Sequence, residues 1–390
     1  MSKLTRRDLL IRGMAGAGLM SVPAVLAACG GGGGIEGQAT TTTVVDGAAA
    51  EVDRTLGEKL SVSNWPLYID IDEDTKQSAT INGFTEETGV DVEYIEDINS
   101  NEEWFGIVQG PLSQGQFVRD MAMPTGYMVA RLKDLGYLQP FDLESVPNIA
   151  GVTIPTADWN PNFEWAIPWQ SYMTGIGYNA GKLGEAPTVD QLLTDPALKG
   201  KITMLDSMGD TIGLMLMSAG QSSTEIDQDA FDEQIERLQK AVSDGQIRQF
   251  TGNDYTGLLA KGDVLASIAW SGDIIQLQAD NADLRFEIPA TGGGIGTDYM
   301  CVLKGGDVYT SSVFANYVLD PKIAAQIALY VNFVPPVGAA EAEAEKVDPD
   351  VSSNQLIFPD AETLANLQEF DPAALNDPVY NEKFQAVIGN

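Results

Sequence analysis

Short apolar runs alternate with amphipathic stretches along most of this chain, and the alternation predicts strand following helix. Lys59–Asn64 reads as a strand, Ala79–Thr88 as a helix ended by Gly89, and Val90–Ile95 as the next strand. Glu102–Val108 begins a helix, Phe117–Met123 is strand-like, and Tyr127–Leu135 is helical up to Gly136. Farther on, Lys201–Leu205 reads as a strand followed by a helix from Asp210, and Gln228–Ser243 as a long amphipathic helix. Val264–Trp270 and Thr297–Leu303 look like buried strands, with Lys322–Val331 helical after them. Such alternation predicts an α/β protein. In open sheets of that class ligands sit outside the carboxyl ends of the strands, so the residues at those ends matter most.

The amino end breaks the pattern. Thr5-Arg6-Arg7-Asp8-Leu9-Leu10 precedes an apolar stretch that closes on Leu26-Ala27-Ala28-Cys29, the order of a lipoprotein export signal. The stretch is shorter than the roughly 20 apolar residues a permanent membrane helix needs, so residues 1–28 read as a removed signal peptide. The arginine pair suggests the twin-arginine route, and Cys29 is the expected lipidation site, anchoring the chain at the outer face of the cytoplasmic membrane. Residues 29–56, with five consecutive glycines, then Thr40–Thr43 and an alanine run, cannot bury a core and read as a tether. The remaining length suits two domains.

Charge and the rarer residues narrow the function. The formal net charge of −34 excludes nucleic acid and favours cationic partners, although a solvated acidic surface explains most of it. With Cys29 lipidated, Cys301 stands alone, so no intrachain disulfide is expected and Cys301 reads as a small core residue. The chain has no histidine, which removes Ser-His-Asp and Cys-His catalysis and the commonest zinc ligand. No cofactor or metal is expected. Asp70-Ile71-Asp72-Glu73-Asp74 opens like a calcium loop but has Thr75 and Ile81 where that loop needs Gly and Glu. Gly292-Gly293-Gly294-Ile295-Gly296 lacks the Lys-Ser/Thr ending of a phosphate loop and reads as a connection or as room for ligand.

The strand ends carry aromatics and carboxylates. They run into Asn64-Trp65-Pro66-Leu67-Tyr68, Pro124-Thr125-Gly126-Tyr127, Pro168-Trp169-Gln170-Ser171 and Ala269-Trp270-Ser271-Gly272-Asp273, while Asp206-Ser207-Met208-Gly209-Asp210 follows another strand and Asp298 begins the last. Rings covering methylenes and carboxylates pairing with ammonium groups suit an organic cation. Each member also has a plainer reading: the rings as core, Ser207 and Asp210 as the ends of a capping box, Asp273 as a helix cap, Asp298 on a solvated strand face.

Several of these motifs resemble the spermidine/putrescine-binding proteins of bacterial ABC importers. Asn64-Trp65-x-x-Tyr68, Glu86-Glu87-Thr88-Gly89-Val90, Ser100-Asn101-Glu102, Pro124-Thr125-x-Tyr127, Ile167-Pro168-Trp169 to Gly177-Tyr178-Asn179, and Phe358-Pro359-Asp360-Ala361-Glu362-Thr363 match that family's motifs in order and spacing, over about residues 59–370. The resemblance implies a two-lobed periplasmic binding protein of type II-like fold, with hinged lobes and a ligand cleft between them. One lobe is expected over 57–177 and 286–350, the other over 178–285 and 351–390. It further implies a non-enzymatic, monomeric solute-binding protein that closes on a polyamine-like cation and delivers it to a membrane permease. Trp65, Tyr68, Thr125, Tyr127 and Trp270 would line the slot, Asp210 and Asp298 would hold amines, and Phe333 would pack on the ligand. Trp169 and Gln170 are added by strand order. Ser207 stands where the family's polyamine binders carry an aspartate, and Gly296 where they carry a tryptophan, so one anionic contact and one aromatic wall are missing. A diamine, or another small solute such as an amino acid derivative or opine-like compound, becomes more plausible than a triamine. A surface-anchored carboxylate enzyme has no motif in its favour.

Overall fold

The structure is a computed structural model that describes residues 53–72, 75–279 and 281–389. Cys29 and the expected signal and tether lie outside the described residues, as do Glu73 and Asp74.

Local chemistry starts and stops the helices. Ser78 caps helix Ala79–Thr88 by accepting from the Ile81 amide, and Gly89 ends it at φ 79°, a left-handed turn that glycine adopts without a Cβ penalty. Asp227 caps helix Gln228–Ser243, whose buried Phe231, Gln234, Leu238 and Ala241 recur at helical spacing and so form one face.

The strands are β1 (Lys59–Asn64), β2 (Asp91–Glu96), β3 (Met121–Ala122), β4 (Leu138–Gln139), β5 (Ile167–Asn179), β6 (Ile202–Leu205), β7 (Ile247–Thr251), β8 (Ala266–Trp270), β9 (Leu284–Glu287), β10 (Gly293–Leu303) and β11 (Leu367–Gln368). They form one sheet in the order β2-β1-β3-β10-β5-β8-β6-β7, with β4 and β11 on β10 and β9 on β5. The flanks, β2-β1-β3 and β8-β6-β7, are parallel, while β10 and β5 are antiparallel to each other and to their outer neighbours. Two hydrophobic cores result. One gathers Leu60, Val62, Trp104, Met121, Val302 and Phe314; the other gathers Ile202, Leu205, Ile212, Phe231, Leu238 and Ile268. The long strand β5 contributes to both, Ile167 and Trp169 to the first and Ile176 and Tyr178 to the second, while β10 adds Met300, Cys301, Val302 and Leu303 to the first. The fold is therefore α/β with two lobes joined through crossing strands. Between Asp298 and Tyr299 the β10–β5 register shifts, a bulge that re-aims side chains where the lobes meet.

Three local expectations change. The run Gly293–Gly296 is strand, because a Cβ on Gly293 or Gly294 would stand 2.9–3.0 Å from Ile288, Leu367 or Thr174, and one on Gly296 2.4 Å from Tyr172. Within Phe117–Met123 only Met121–Ala122 pairs. Asp273 lies inside helix Ser271–Gln278, whose cap position is Trp270, and makes no cap bond. Cys301 is fully buried in the first core, and burial pushes its thiol up to about 12. Among the described residues no helix is long and apolar enough to cross a membrane.

Candidate functional site

At the seam between the lobes the rings expected at the strand ends close into a box. The chain leaving β1 presents Trp65, whose indole N–H donates to the Met123 carbonyl at 2.9 Å, and then Tyr68. From the other lobe, Trp270 at the end of β8 meets the Trp65 edge at 5.9 Å. Phe333 stands against Tyr68 at 4.8 Å and 85°, the edge-to-face geometry that suits ring quadrupoles. It also lies over the start of helix Ser271–Gln278, where only glycine fits: a Cβ on Gly272 would be 2.4 Å from the ring. Pro66, Thr125, Tyr172, Asn253, Asp273 and Asp298 complete the lining. The free interior is about 30 Å³.

Each lobe supplies one carboxylate and holds it with its own donors. Asp298 accepts from the Tyr68 hydroxyl at 2.9 Å and from the Thr125 hydroxyl at 2.7 Å, and Asn101 in turn fixes Thr125 through its amide and hydroxyl. Asp273 accepts from the Tyr255 hydroxyl at 2.5 Å and from Asn253 Nδ2 at 2.9 Å. The Tyr255 oxygen is itself held by the Trp270 amide at 2.9 Å. Asp298 is 3% exposed and Asp273 7%. Among the described residues neither takes part in an ion pair. A carboxylate withdrawn from water without a cation holds its proton, and burial raises both groups to about 7 against the pull of their hydrogen bonds.

A wider cleft of about 560 Å³ adjoins the box, and Thr125 and Tyr172 line both. Tyr127, Ser207 and Asp210 line this cleft and not the box. Ser207 caps helix Met208–Ser218, with Asp210 in its first turn, so the plain capping role is real for Ser207. Asp210 is raised chiefly by burial, offset by hydrogen bonds from Ser207 and Thr174.

Of the residues expected from the sequence, Trp65, Tyr68, Thr125, Trp270, Asp298 and Phe333 come together in the box. Trp169 and Gln170 line neither cavity. Trp169 is buried behind Tyr68 at 6.5 Å, and Gln170 is buried on β5. The solvated face expected for Asp298 does not exist. Asn253 and Tyr172 were not expected, and Asp273 was read among the strand-end residues as a helix cap and not as a slot residue. For Asp273 the signal was present: it lies three residues after Trp270 where a helix begins, a spacing that brings two side chains to one face. Tyr172 is paired with Gly296 across β5 and β10, and its ring lies over the glycine.

The lobes touch beside the box. The Asn253 amide donates to the Asn99 carbonyl at 3.3 Å, Asn99 Nδ2 reaches Asp254 at 3.2 Å, and a Cβ on Gly252 would be 2.2 Å from the Asn99 carbonyl. Asn253 thus joins the seam to Asp273. Among the described residues no group of three or more His, Cys, Asp or Glu is arranged to hold a metal.

Comparison with known proteins is consistent with this geometry. Residues 79–359 match the family described as bacterial extracellular solute-binding protein. The chain is 28% identical over 332 residues to the putrescine-binding periplasmic protein PotF of Escherichia coli, covering 79% of this chain and 85% of that one. It is 26% identical over 353 residues to the putrescine-binding periplasmic protein SpuD of Pseudomonas aeruginosa, covering 84% and 89%. Among solved structures, the spermidine/putrescine ABC transporter substrate-binding protein PotD of Streptococcus pneumoniae, in complex with calcium and HEPES, superposes with a TM-score of 0.67 at 26% identity, covering 85% of this chain and 97% of that one.

Proposed function

The chain belongs to the bacterial extracellular solute-binding proteins, and from that premise we propose that it captures a polyamine-like organic cation for an ABC importer. The family's members are substrate-binding components without enzymatic activity, so the task is recognition and release. The observation that carries the reading is the pair Asp273 and Asp298: two buried carboxylates from opposite lobes, walled by rings and, among the described residues, in no ion pair. A buried ion needs a partner, and an ammonium ligand supplies it while Trp65 and Trp270 cover its methylenes. Because one carboxylate belongs to each lobe, a cation between them favours the closed form by its greater affinity for that form. That PotF and SpuD are putrescine-binding proteins supports the same class of ligand.

On this reading the protein works as a monomer that hands its ligand to a membrane permease. Export by the Leu26–Cys29 signal, lipidation at Cys29 and the twin-arginine route complete the proposal. Cys29→Ala is expected to release the protein from membranes, and unchanged membrane association would remove the anchor.

The ligand class is tested by titrating the purified mature protein with putrescine, spermidine, spermine and neutral amino acids, reading heat and melting temperature. An amine is expected to bind and stabilise, and Asp298→Asn to abolish that shift. Stabilisation by a neutral amino acid with no response to any amine would replace the cation by another small solute.

A further inference from the structure

We propose that Tyr172 is the residue that sets which length of linear amine this site accepts, by forming the wall between the aromatic box and the wider cleft; the proposal rests on the amine-binding reading above. Tyr172 on β5 is opposite Gly296 on β10. A Cβ on Gly296 would stand 2.4 Å from both Cζ and the hydroxyl oxygen of Tyr172, so the ring crosses to the neighbouring strand and lies over its backbone. Glycine permits that crossing and no other residue does. The same ring meets Trp270 at 5.8 Å and 63°, and it borders both cavities. Tyr172 is therefore clamped between a strand and an indole, a fixed partition in place of a freely turning side chain.

The two cavities differ in size in a way that makes the partition matter. The box, with about 30 Å³ free, holds a few waters' worth of ligand, enough for one ammonium and the methylene beside it. The cleft beyond has about 560 Å³. A diamine or polyamine with one end between Asp273 and Asp298 must pass Tyr172 to place its remaining length, in a cleft whose buried carboxylate among the described residues is Asp210. The Tyr172 hydroxyl lies in the field of both Asp210 and Asp298, and its ring borders both cavities on the way between them. The ligand class is thus a linear aliphatic amine with a second nitrogen a fixed number of methylenes from the first.

The test is calorimetry of the whole mature chain with unbranched diamines of three, four and five carbons, spermidine and spermine, on the wild type, Tyr172→Ala, Tyr172→Phe, Gly296→Phe and the double variant Tyr172→Ala/Gly296→Phe. The wild type is expected to prefer one length. Tyr172→Ala is expected to lose at least tenfold for that amine and to flatten the ranking to within about threefold. Tyr172→Phe keeps the wall and so keeps the ranking. Gly296→Phe alone collides with Tyr172 and loses binding, whereas the double variant, with a ring offered from the other strand, regains at least tenfold over either single change. A ranking that survives in Tyr172→Ala, or a double variant no better than its parents, would overturn the role of Tyr172. Tyr172→Leu carries the same expectation should the alanine variant not fold. A wild type that binds none of these amines sinks the amine reading itself, and is seen before any variant is made.

Discussion

The box and the cleft beside it both hold buried carboxylates, but they hold them for different ends. In the box Asp273 and Asp298 come from opposite lobes, each with two donors and, among the described residues, no ion-pair partner. In the cleft Asp210 sits in the first turn of helix Met208–Ser218, bonded by Thr174 and adjoining the capping Ser207. Asp273 holds the same position in helix Ser271–Gln278, so a helix end answers part of the charge of both. The three carboxylates are similarly buried and differ in arrangement: Asp273 and Asp298 line one small box from opposite lobes, whereas Asp210 lines the wider cleft from a single helix.

The largest expected effect breaks that comparison directly. Asp273→Asn or Asp298→Asn is expected to weaken amine binding by at least a hundredfold, in line with the roughly 3–5 kcal/mol lost when one member of a buried ion pair is removed, while Asp210→Asn costs less than tenfold. Calorimetry checks both, and equal losses at all three positions would erase the distinction.

Next comes pH. The cation competes with protons that Asp273 and Asp298 hold to about 7, so affinity is expected to fall below that pH by up to about tenfold per unit for each proton displaced. Calorimetry in buffers of different ionisation enthalpy reads the released protons, and a flat profile between pH 5.5 and 8 would contradict it. For the ligand-free protein the sign is opposite. Both folded-state values are raised, so this contribution to stability is present below the ordinary carboxylate range near 4 and is lost as pH rises through about 7. Asp206, raised to about 6 chiefly by burial, adds to the same trend. Denaturation at pH 5.5 and 8 checks it, with Asp273→Asn/Asp298→Asn expected to flatten the difference.

The seam sharpens the comparison without touching the ligand. Gly252→Ala places a Cβ against the Asn99 carbonyl backbone, which cannot turn aside, so the lobes are held apart. About tenfold weaker binding is expected, mainly through faster dissociation in stopped-flow, with a larger radius in X-ray scattering of the liganded protein. Smallest is Ser207→Ala. Losing a cap costs about 1 kcal/mol of stability, and affinity should stay within twofold. A tenfold loss of affinity would promote Ser207 from cap to ligand.

Helix boundaries were legible because their signals are local: Ser78 and Gly89 bracket one helix, and a single apolar face defines Gln228–Ser243. Trp65, Tyr68, Trp270 and Asp298 were legible as strand-end residues in an alternating fold. Trp169 and Gln170 were read at a strand end but lie inside β5, where Trp169 packs on Tyr68 and lines neither cavity. Tyr172 was missed because its significance depends on Gly296, 124 residues away and paired only through the β5–β10 register. The glycine run looked like a connection for the same reason: what fills the space over those glycines comes from other strands.

By itself the sequence determined the α/β alternation, the exclusion of histidine chemistry and the supply of rings and carboxylates at strand ends, because periodicity and residue type act within a few residues. Which of those carboxylates share a cavity, which ring borders both cavities and where the lobes meet were decided only by tertiary structure. Burial and partnership are properties of pairs distant along the chain, and Asp273 and Asp298 become a site only when two lobes bring their separate hydrogen-bond networks face to face.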